Sequence, residues 1–362
     1  MDFVSFLHEA FELGYQVDVI YTDFSKAFDS IDHGALLYVL DRLGVGDPLL
    51  SWIRSYLNER RQFVSLFGKS SDLFHAPSGV PQGSHLGPIL FNIFINTMYS
   101  AISPCRLLLF ADDSKIFHTI STHNDCLILQ KTLDKFITWC NTFNLSLNIS
   151  KCKIMSFYRT RSVIIFDYKL NGLPVQRVSQ VQDLGILFGP SLNFRPHIDY
   201  MTGKALRVLG FIRRHSSNFN SPSCLQALYN ALVRSVLEYG AAVWSPYTAA
   251  DIRRIDRVQN RFMSFAGFCL KIPHPEHDYR PISQALKLAS LADRRDKFGI
   301  NFIQGLIDGK VDAPRLLERL HFHIPSNTRF HGTFYPLHYK TNFSKNAPLP
   351  KMMRNVNIFL NF

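Results

Sequence analysis

The sequence is poor in the features that mark membrane, secreted and zinc-binding proteins. Its 362 residues include six cysteines, with no Cys-x-x-Cys pair and no His/Cys cluster at zinc-ligand spacing. No apolar run approaches the roughly 18 residues that a membrane span requires, and the opening Met-Asp-Phe does not begin a signal peptide. We therefore expect reduced thiols, no membrane association and an intracellular location, in cytoplasm and nucleus.

Acidic residues are scarce in the second part of the chain. The protein has 40 Lys+Arg and 28 Asp+Glu, and the first 150 residues hold only 10 of the basic but 15 of the acidic ones. Residues 151–362 therefore carry a net charge of +17, and no acidic residue follows Glu318. Such a basic, aromatic-rich region is typical of a polyanion-binding protein, although a solvated basic surface remains the alternative.

The periodicity of apolar residues predicts an α+β fold. Residues 16–23 predict a strand that ends at Asp23, on the face of Val17, Val19 and Tyr21. Two further strands, at 106–111 and 115–119, predict a hairpin. We expect an antiparallel sheet with helices on one face, followed by a helical region. The predicted helices lie near 86–102, 123–143, 198–215, 222–243, 249–267 and 283–306.

Three aspartates occupy positions from which their carboxylates can meet. Asp23 ends the first strand, and Asp112 and Asp113 lie in the turn of the hairpin. Carboxylates are preferred ligands of hard divalent cations, and two such ions can activate an attacking hydroxyl and stabilise a leaving pyrophosphate. This pattern is compatible with a site for hard divalent cations, but taken by itself an Asp-Asp turn more often reflects plain turn propensity.

Five blocks in order surround these aspartates, and with them the chain resembles the reverse transcriptases of non-LTR (LINE-type, jockey-like) retrotransposons. They are similar to polymerase motifs A, B, C and D and the primer-grip region. A later block, Leu-Glu-Tyr-Gly-Ala-Ala-Val-Trp (237–244), resembles the thumb of the same elements. The five blocks are Tyr-Thr-Asp-Phe-Ser-Lys-Ala-Phe-Asp-Ser-Ile-Asp-His (21–33), residues 78–96 beginning Ser-Gly-Val-Pro-Gln-Gly-Ser, Phe-Ala-Asp-Asp (110–113), Asn-Leu-Ser-Leu-Asn-Ile-Ser-Lys-Cys-Lys (144–153) and Leu-Gly-Ile-Leu-Phe (184–188).

The resemblance implies the fold and organisation of a right-hand polymerase. It implies a palm at 1–160, primer-grip and connection strands at 161–195, a helical thumb at 196–306 and a basic tail at 307–362. We expect the tail to be poorly ordered unless nucleic acid or the thumb holds it. The family's fingers region would lie upstream of residue 21, so we expect a truncated element copy or an incomplete gene model.

The resemblance also implies roles for residues of the first 160 positions. Asp23, Asp112 and Asp113 correspond to the family's metal-binding aspartates, which implies two bound Mg²⁺ ions, with Mn²⁺ as a substitute. Phe28 corresponds to the aromatic residue beneath the incoming sugar, where a ring excludes a ribose 2′-OH, and Phe24 is assigned to substrate binding beside it. A buried core phenylalanine is the alternative for Phe28.

Two further assignments concern the nucleotide and the leaving group. The glycines Gly79 and Gly83, with Pro81 and Gln82, correspond to the loop that lines nucleotide and template, where glycine permits close backbone approach; an ordinary turn is the alternative. Lys151 corresponds to the lysine that protonates leaving pyrophosphate, with Lys153 as its nearest rival. Either could instead be an ordinary exposed lysine.

Three arginines recur every four residues in the predicted thumb. Arg253, Arg257 and Arg261 lie on one side of a predicted helix whose apolar residues fall on the other. Their side can follow a phosphate backbone, or it can be a solvated helix face. The expected partners are an RNA template and a DNA primer, as an A-form-like RNA:DNA duplex, together with dNTPs; the oligomeric state is unknown.

Two functions remain open from the sequence. The first is an RNA-directed DNA polymerase that adds dNTPs to a primer 3′-OH. The second is a catalytically silent nucleic-acid-binding remnant of such an element. The intact aspartates favour the first function, and the absent fingers favour the second.

Overall fold

The computed structural model describes residues 1–58, 60–324, 332–335 and 337–359. Its contacts divide the chain into two compact units. One consists of residues 13–179, and the other combines residues 1–12 with residues 180–362. The boundary at residue 180 therefore falls inside the segment 161–195, for which the sequence predicts connecting strands.

A first helix, α1 (Asp2–Glu12), belongs to the unit of residues 180–362. The elements of the unit of residues 13–179 follow it in chain order. They are β1 (Gln16–Thr22), α2 (Ala27–Ser30), α3 (His33–Arg42), α4 (Leu49–Leu57), β2 (Arg61–Gln62), β3 (Ser65–Leu66), β4 (Lys69–Ser70), β5 (Phe74–His75), α5 (Leu86–Asn96), α6 (Tyr99–Ile102), β6 (Arg106–Phe110), β7 (Asp113–Ile120), α7 (His123–Thr142), β8 (Lys153–Phe157), β9 (Lys169–Leu170), β10 (Leu173–Pro174) and β11 (Gln176–Arg177).

A five-stranded sheet organises this unit, in the order β11-β8-β1-β7-β6. The long central strand β1 is antiparallel to β7 and to β8, and β6 forms the predicted hairpin with β7. The edge strand β11 pairs with β8 in parallel, so the prediction of a wholly antiparallel sheet was wrong at this edge. Only two residues of β11 join the ladder, which is too short a segment to give a readable period in the sequence.

Helices cover one face of the sheet, as predicted. Ile20, Ile116 and Ile154 project from neighbouring strands into a core that also contains Phe91 of α5 and Phe136 of α7. Burying a side chain of this size contributes roughly 1.5–3 kcal/mol, so this face secures the position of β1. The apolar residues on the other face of β1 are buried too.

The unit of residues 180–362 is largely helical, as the sequence predicts. No helix in the part of the chain that the structure describes is both long enough and apolar enough to cross a membrane. After α1, its elements are β12 (Val181–Asp183), β13 (Ile186–Phe188), α8 (Arg195–His215), α9 (Pro222–Leu228), the π-helical turn Tyr229–Arg234, α10 (Ser235–Glu238), α11 (Ala241–Trp244), α12 (Ala249–Leu270), α13 (Arg280–Ala285), α14 (Leu291–Ile307), α15 (Pro314–Leu317), α16 (Asn342–Lys345) and α17 (Pro348–Phe359).

The tail is held by packing where the structure describes it. Helix α17 lies against α14, and its buried Met352, Met353 and Val356 join a core with Ile303. Gly299 of α14 makes this approach possible, because a Cβ there would lie 2.9 Å from Cγ of Met352. The helical region thus orders this part of the tail. The sequence predicted a poorly ordered tail unless nucleic acid or the thumb held it, and here packing on the helical region holds it. Residues 325–331, 336 and 360–362 of the tail lie outside the described residues.

Candidate active site

Asp23 emerges from the end of the central strand. The ladder between β1 and β7 ends with Thr22 opposite Ser114, and both side chains are buried and hydrogen-bonded to each other. Asp23 follows β1 directly, and Asp113, the residue before Ser114, is the first residue of β7. Both aspartates therefore adjoin the last pair of the ladder, at one end of the two strands.

The β6–β7 hairpin presents the other two aspartates. Phe110 pairs with Asp113 across the hairpin, so that only Ala111 and Asp112 form the turn. Ala111 adopts a φ of 53°, in the left-handed region that such tight turns use. Asp112 is half-buried and Asp113 is exposed. The hairpin thus raises two carboxylates next to the strand end that carries Asp23.

Lys151 reaches Asp23 from the other side of β1, where it lies just before β8. The amide of Asn148 donates to the carbonyl of Asp23 (2.8 Å), and the amide of Lys151 donates to the carbonyl of Asn148 (3.0 Å). These bonds bring Nζ of Lys151 to 3.5 Å from Oδ2 of Asp23. The lysine side chain is 66% exposed and the aspartate 35% exposed, so the pair adds little stability. Its effect is to place a positive charge at the strand end.

Among the described residues, the structure groups no three His, Cys, Asp or Glu side chains so that they could hold a metal ion. The cation beside Asp23 is instead the ammonium group of Lys151. Joint metal binding by the three aspartates stays a prediction. The donor chemistry nevertheless suits a hard divalent cation, because all three side chains are carboxylates at one sheet edge.

Cys152 lies next to Lys151 and is buried. Burial raises the pKa of its thiol, and the negative charge of Asp23 acts in the same direction. Its Sγ is within hydrogen-bonding distance of the carbonyl of Asn148, at 3.4 Å. The site therefore offers oxygen ligands rather than a thiolate.

The two phenylalanines predicted to contact substrate have different surroundings. Phe28, in α2, is half-buried and stacks on Phe91, with ring centroids 3.9 Å apart. One face of the Phe28 ring is thus fixed by the core. Phe24 is only 5% exposed and packs edge-on against Phe136. The structure therefore places Phe24 in the core rather than at a surface open to substrate, because β-type alternation turns it inwards when Asp23 faces outwards.

The loop of residues 78–83 is docked on the segment that follows Asp23. Gly79 donates to the carbonyl of Ile31 (2.7 Å), its carbonyl lies 2.8 Å from Nε2 of His33, and Val80 donates to the carbonyl of Phe28 (2.8 Å). A Cβ on Gly79, whose φ is +86°, would lie 2.7 Å from Cα of Asp29. Glycine is thus required here by contact with the protein itself, whereas the sequence suggested contact with a ligand.

Gln82 has a partner that the sequence did not identify. Its Nε2 donates a 2.8 Å hydrogen bond to Oδ1 of Asp29, and both side chains are exposed. Of the other predicted loop residues, Pro81 is buried, and Gly83 is exposed with a φ of +79°. Asp29 lies inside the block 21–33, 53 positions before Gln82. No pattern in the sequence indicated that these two side chains would pair.

The three arginines of the predicted thumb lie on α12. Arg253, Arg257 and Arg261 are all exposed, and Ile255, Val258 and Phe262 of the same helix are buried. The predicted division between a packed face and a basic face is therefore confirmed. The structure alone does not tie these arginines to a ligand.

Comparison with known proteins identifies the family of this chain. The model of the reverse transcriptase (RNA-dependent DNA polymerase) family matches residues 4–212. The chain belongs to that family. Within it, the relatives of this sequence are polymerases of non-LTR retrotransposons.

The chain is shorter than these relatives. It is 27% identical to the RNA-directed DNA polymerase from mobile element jockey of Drosophila melanogaster, over 91% of this chain and 35% of the relative. The Drosophila funebris polymerase of the same name is 30% identical, over 54% of this chain and 22% of the relative. The chain thus spans about a third of the length of such relatives or less. The structure of apo telomerase from Candida tropicalis aligns with 78% of this chain and 46% of its own length, at 13% identity and a TM-score of 0.46.

Proposed function

We propose that this chain performs RNA-directed DNA synthesis, adding dNTPs to a primer 3′-OH paired with an RNA template. One observation carries the proposal: the ladder between β1 and β7 brings the strand end with Asp23 beside the hairpin with Asp112 and Asp113. In this proposal residues 1–160 act as the palm, 161–195 as primer grip and connection, and 196–306 as the thumb. The division of contacts at residue 180 supports two parts of this kind.

Asp23, Asp112 and Asp113 would hold the divalent cations, Mg²⁺ or Mn²⁺. Bound there, such cations lower the pKa of the attacking hydroxyl and neutralise charge on the triphosphate. The side chains must turn towards one another for this, and Lys151 must leave Asp23. Because that ion pair is largely exposed, its rupture costs little.

Lys151 has a second part in the proposal. Released from Asp23, its ammonium group stays tethered by the turn of residues 148–151. From there it can donate a proton to the pyrophosphate as this group leaves. Lys153 is a weaker candidate, because it lies within β8 and pairs with Tyr21 in the ladder.

Phe28 and the docked loop would shape the nucleotide site. The Phe28 ring cannot retreat, since Phe91 fills the space behind it. A ribose 2′-OH would meet this ring, whereas a deoxyribose would not. Gln82, held by Asp29, would present its amide beside the base or the template.

The exposed arginines of α12 would grip the duplex. Arg253, Arg257 and Arg261 can contact phosphates, and such contacts hold any base sequence equally. Binding should then weaken steeply with salt, because each neutralised phosphate releases counterion.

A second candidate function is nucleic-acid binding without turnover. The observation that favours it is the Lys151–Asp23 ion pair, in which an ammonium group lies where a metal ion would bind. This protein would retain the basic helices but lack a working metal site.

Primer extension separates the two functions. The full chain, with Mg²⁺ and dTTP, should lengthen oligo(dT) on poly(rA), and Asp112→Asn should abolish extension while duplex binding persists. Asp134→Asn, on the outer part of α7, is the charge-matched control and should extend like the parent. Duplex binding without extension by the parent chain would instead support the silent remnant.

A further inference from the structure

A basic cavity in the unit of residues 180–362 shares two arginines with the duplex-binding face proposed above, and its other lining residues have no role there. It has a volume of about 810 Å³, within the range of ligand-binding pockets. Arg213, from the last turn of α8, lines it together with Arg257 and Arg261, which are one turn apart on α12. The segment after α12 completes it with His277 and Tyr279. Three elements thus converge on one concave, cationic surface.

The charge of this cavity is not balanced by its own lining. All three arginines are exposed, and no Asp or Glu lines the cavity among the described residues. The two acidic side chains of the neighbouring segment already have partners. Glu276 lies 3.5 Å from His277, and Asp278 forms a 2.9 Å ion pair with Arg280. A ligand with one or more phosphates would supply the missing negative charge.

An exposed aromatic ring stands beside these arginines. Phe268 is 78% exposed although it lines the cavity, and it follows Arg261 by two helical turns on α12. A ring left so open adds nothing to the core. Combined with arginines, it matches the surface on which single-stranded nucleic acids bind, where bases stack on rings and phosphates contact guanidinium groups.

We propose that this cavity binds an unpaired nucleotide of a nucleic-acid strand. The phosphates contact Arg213, Arg257 and Arg261, and the base stacks on Phe268. The nucleotide must be unpaired, because a base inside a duplex already has neighbours on both faces and cannot reach the ring. The inference deepens the proposed polymerase function and rests on it only in assuming a nucleic-acid partner. It adds a single-strand site to the duplex contacts proposed for α12.

Fluorescence of a single-stranded oligonucleotide tests this site. The probe is a 12-nucleotide strand with one 2-aminopurine, made as RNA and as DNA, and it is titrated with the full chain at physiological salt. We expect quenching on binding, and Phe268→Ala should reduce quenching and lower affinity about tenfold, since a stacked base contributes on that order. Phe211→Ala removes another exposed ring, 52% exposed on α8 and outside the cavity lining, and should have little effect.

A second pair of variants tests whether binding depends on the cavity itself or only on the total positive charge of α12. Arg257→Glu should weaken binding of the probe at least several times more than Arg253→Glu, which makes the same charge change on the same helix outside the cavity lining. Equal losses in this pair, together with unchanged quenching in Phe268→Ala, would overturn the proposal and leave only a diffuse basic face.

The RNA and DNA probes identify which kind of strand the cavity binds. Asp112→Asn then distinguishes failure of this site from failure of the polymerase proposal. Tighter binding of the RNA probe assigns the cavity to an RNA strand, and tighter binding of the DNA probe assigns it to a DNA strand; either supports the site. Asp112→Asn should bind the probe like the parent, because the cavity lies in the other unit. If the parent binds the probe but never extends a primer, the polymerase proposal fails and the single-strand site stands.

Discussion

The side-chain amide of Gln82 donates a 2.8 Å hydrogen bond to Oδ1 of Asp29. This bond joins the loop of residues 78–83 to the segment that follows Asp23. Main-chain hydrogen bonds hold the same loop, since the amides of Gly79 and Val80 donate to the carbonyls of Ile31 and Phe28. The loop is therefore located by its main chain, and Asp29 fixes the orientation of one exposed amide.

Replacing Asp29 should affect nucleotide binding more than stability. In Asp29→Ala the backbone contacts persist, but Gln82 loses the acceptor that orients it, so we expect KM for dNTPs to rise about fivefold, with a small change in kcat. A hydrogen bond of this type is worth roughly 1 kcal/mol. Asp29→Asn retains an acceptor oxygen and should lie closer to the parent. Equal KM values in steady-state primer extension for the parent and Asp29→Ala would show that Gln82 needs no such orientation.

Two loop glycines should respond differently to alanine. Gly79→Ala places a Cβ 2.7 Å from the Asp29 backbone, whereas Gly83→Ala meets no atom within 4 Å. Both residues have positive φ, which alone costs an alanine roughly 1–2 kcal/mol. The free energy of unfolding, measured in urea, should therefore fall clearly more for Gly79→Ala. Similar losses for both would mean that the loop is not pressed against Asp29 in solution.

The ring of Phe28 should control the choice of sugar. Phe28→Val opens the space above Phe91, so discrimination of dNTPs over rNTPs should fall about tenfold or more, in line with the roughly 1–3 kcal/mol that such a steric difference supplies. Phe28→Tyr keeps the ring and its stacking and should discriminate like the parent. The measurement is the ratio of kcat/KM for dTTP and UTP on poly(rA)/oligo(dT). An unchanged ratio in Phe28→Val would leave Phe28 as a core residue only.

Protonation of Asp125 should make the free energy of unfolding depend on pH. Burial would raise the pKa of Asp125, but hydrogen bonds from Ser121 and Thr122 at the start of α7 outweigh it and lower the pKa from 3.8 to about 2. A carboxyl with a lowered pKa in the folded state stabilises the fold above pH 3.8 and loses this contribution as the pH falls towards 2.

The matching experiment compares urea unfolding of two helix variants at several pH values. At neutral pH, Asp125→Ala should cost about 1 kcal/mol, the usual worth of a helix N-terminal cap. The difference from the parent should shrink between about pH 4 and pH 2. Asn124→Ala, at an exposed position in the first turn of the same helix, removes no ionisable group and should show no such convergence. A constant deficit for Asp125→Ala down to pH 2 would contradict the lowered pKa.

Much of the local structure near the site was predictable. The strand ending at Asp23, the hairpin of residues 106–119 and the helix after Thr122 have strong periodicity and clear end signals, and all three are confirmed. Asp32 caps α3 in the way that this residue type favours, accepting from the amide of Ala35 at 2.7 Å. Such features depend on neighbours in sequence, which the sequence displays directly.

Features that the periodicity of apolar residues does not display were missed. The helix predicted over 86–102 is broken into α5 and α6, because Thr97 turns its hydroxyl to the carbonyl of Phe94 and the backbone tightens there. The pairing of Asp29 with Gln82 joins residues 53 positions apart. The ion pair between Lys151 and Asp23 depends on the turn that Asn148 forms against β1, which no periodicity reveals.

The joint action of Asp23 and the hairpin aspartates on a divalent cation is tested most directly by titrating the full chain with Mn²⁺ and following free Mn²⁺ by electron paramagnetic resonance. The parent should bind Mn²⁺, Asp23→Asn and Asp112→Asn should each weaken binding about tenfold or more, and Asp134→Asn should bind like the parent. Lys151→Ala should strengthen binding, because it removes the ammonium group beside Asp23. Equal Mn²⁺ affinity in the parent, Asp23→Asn and Asp112→Asn would show that these carboxylates do not act as one metal site.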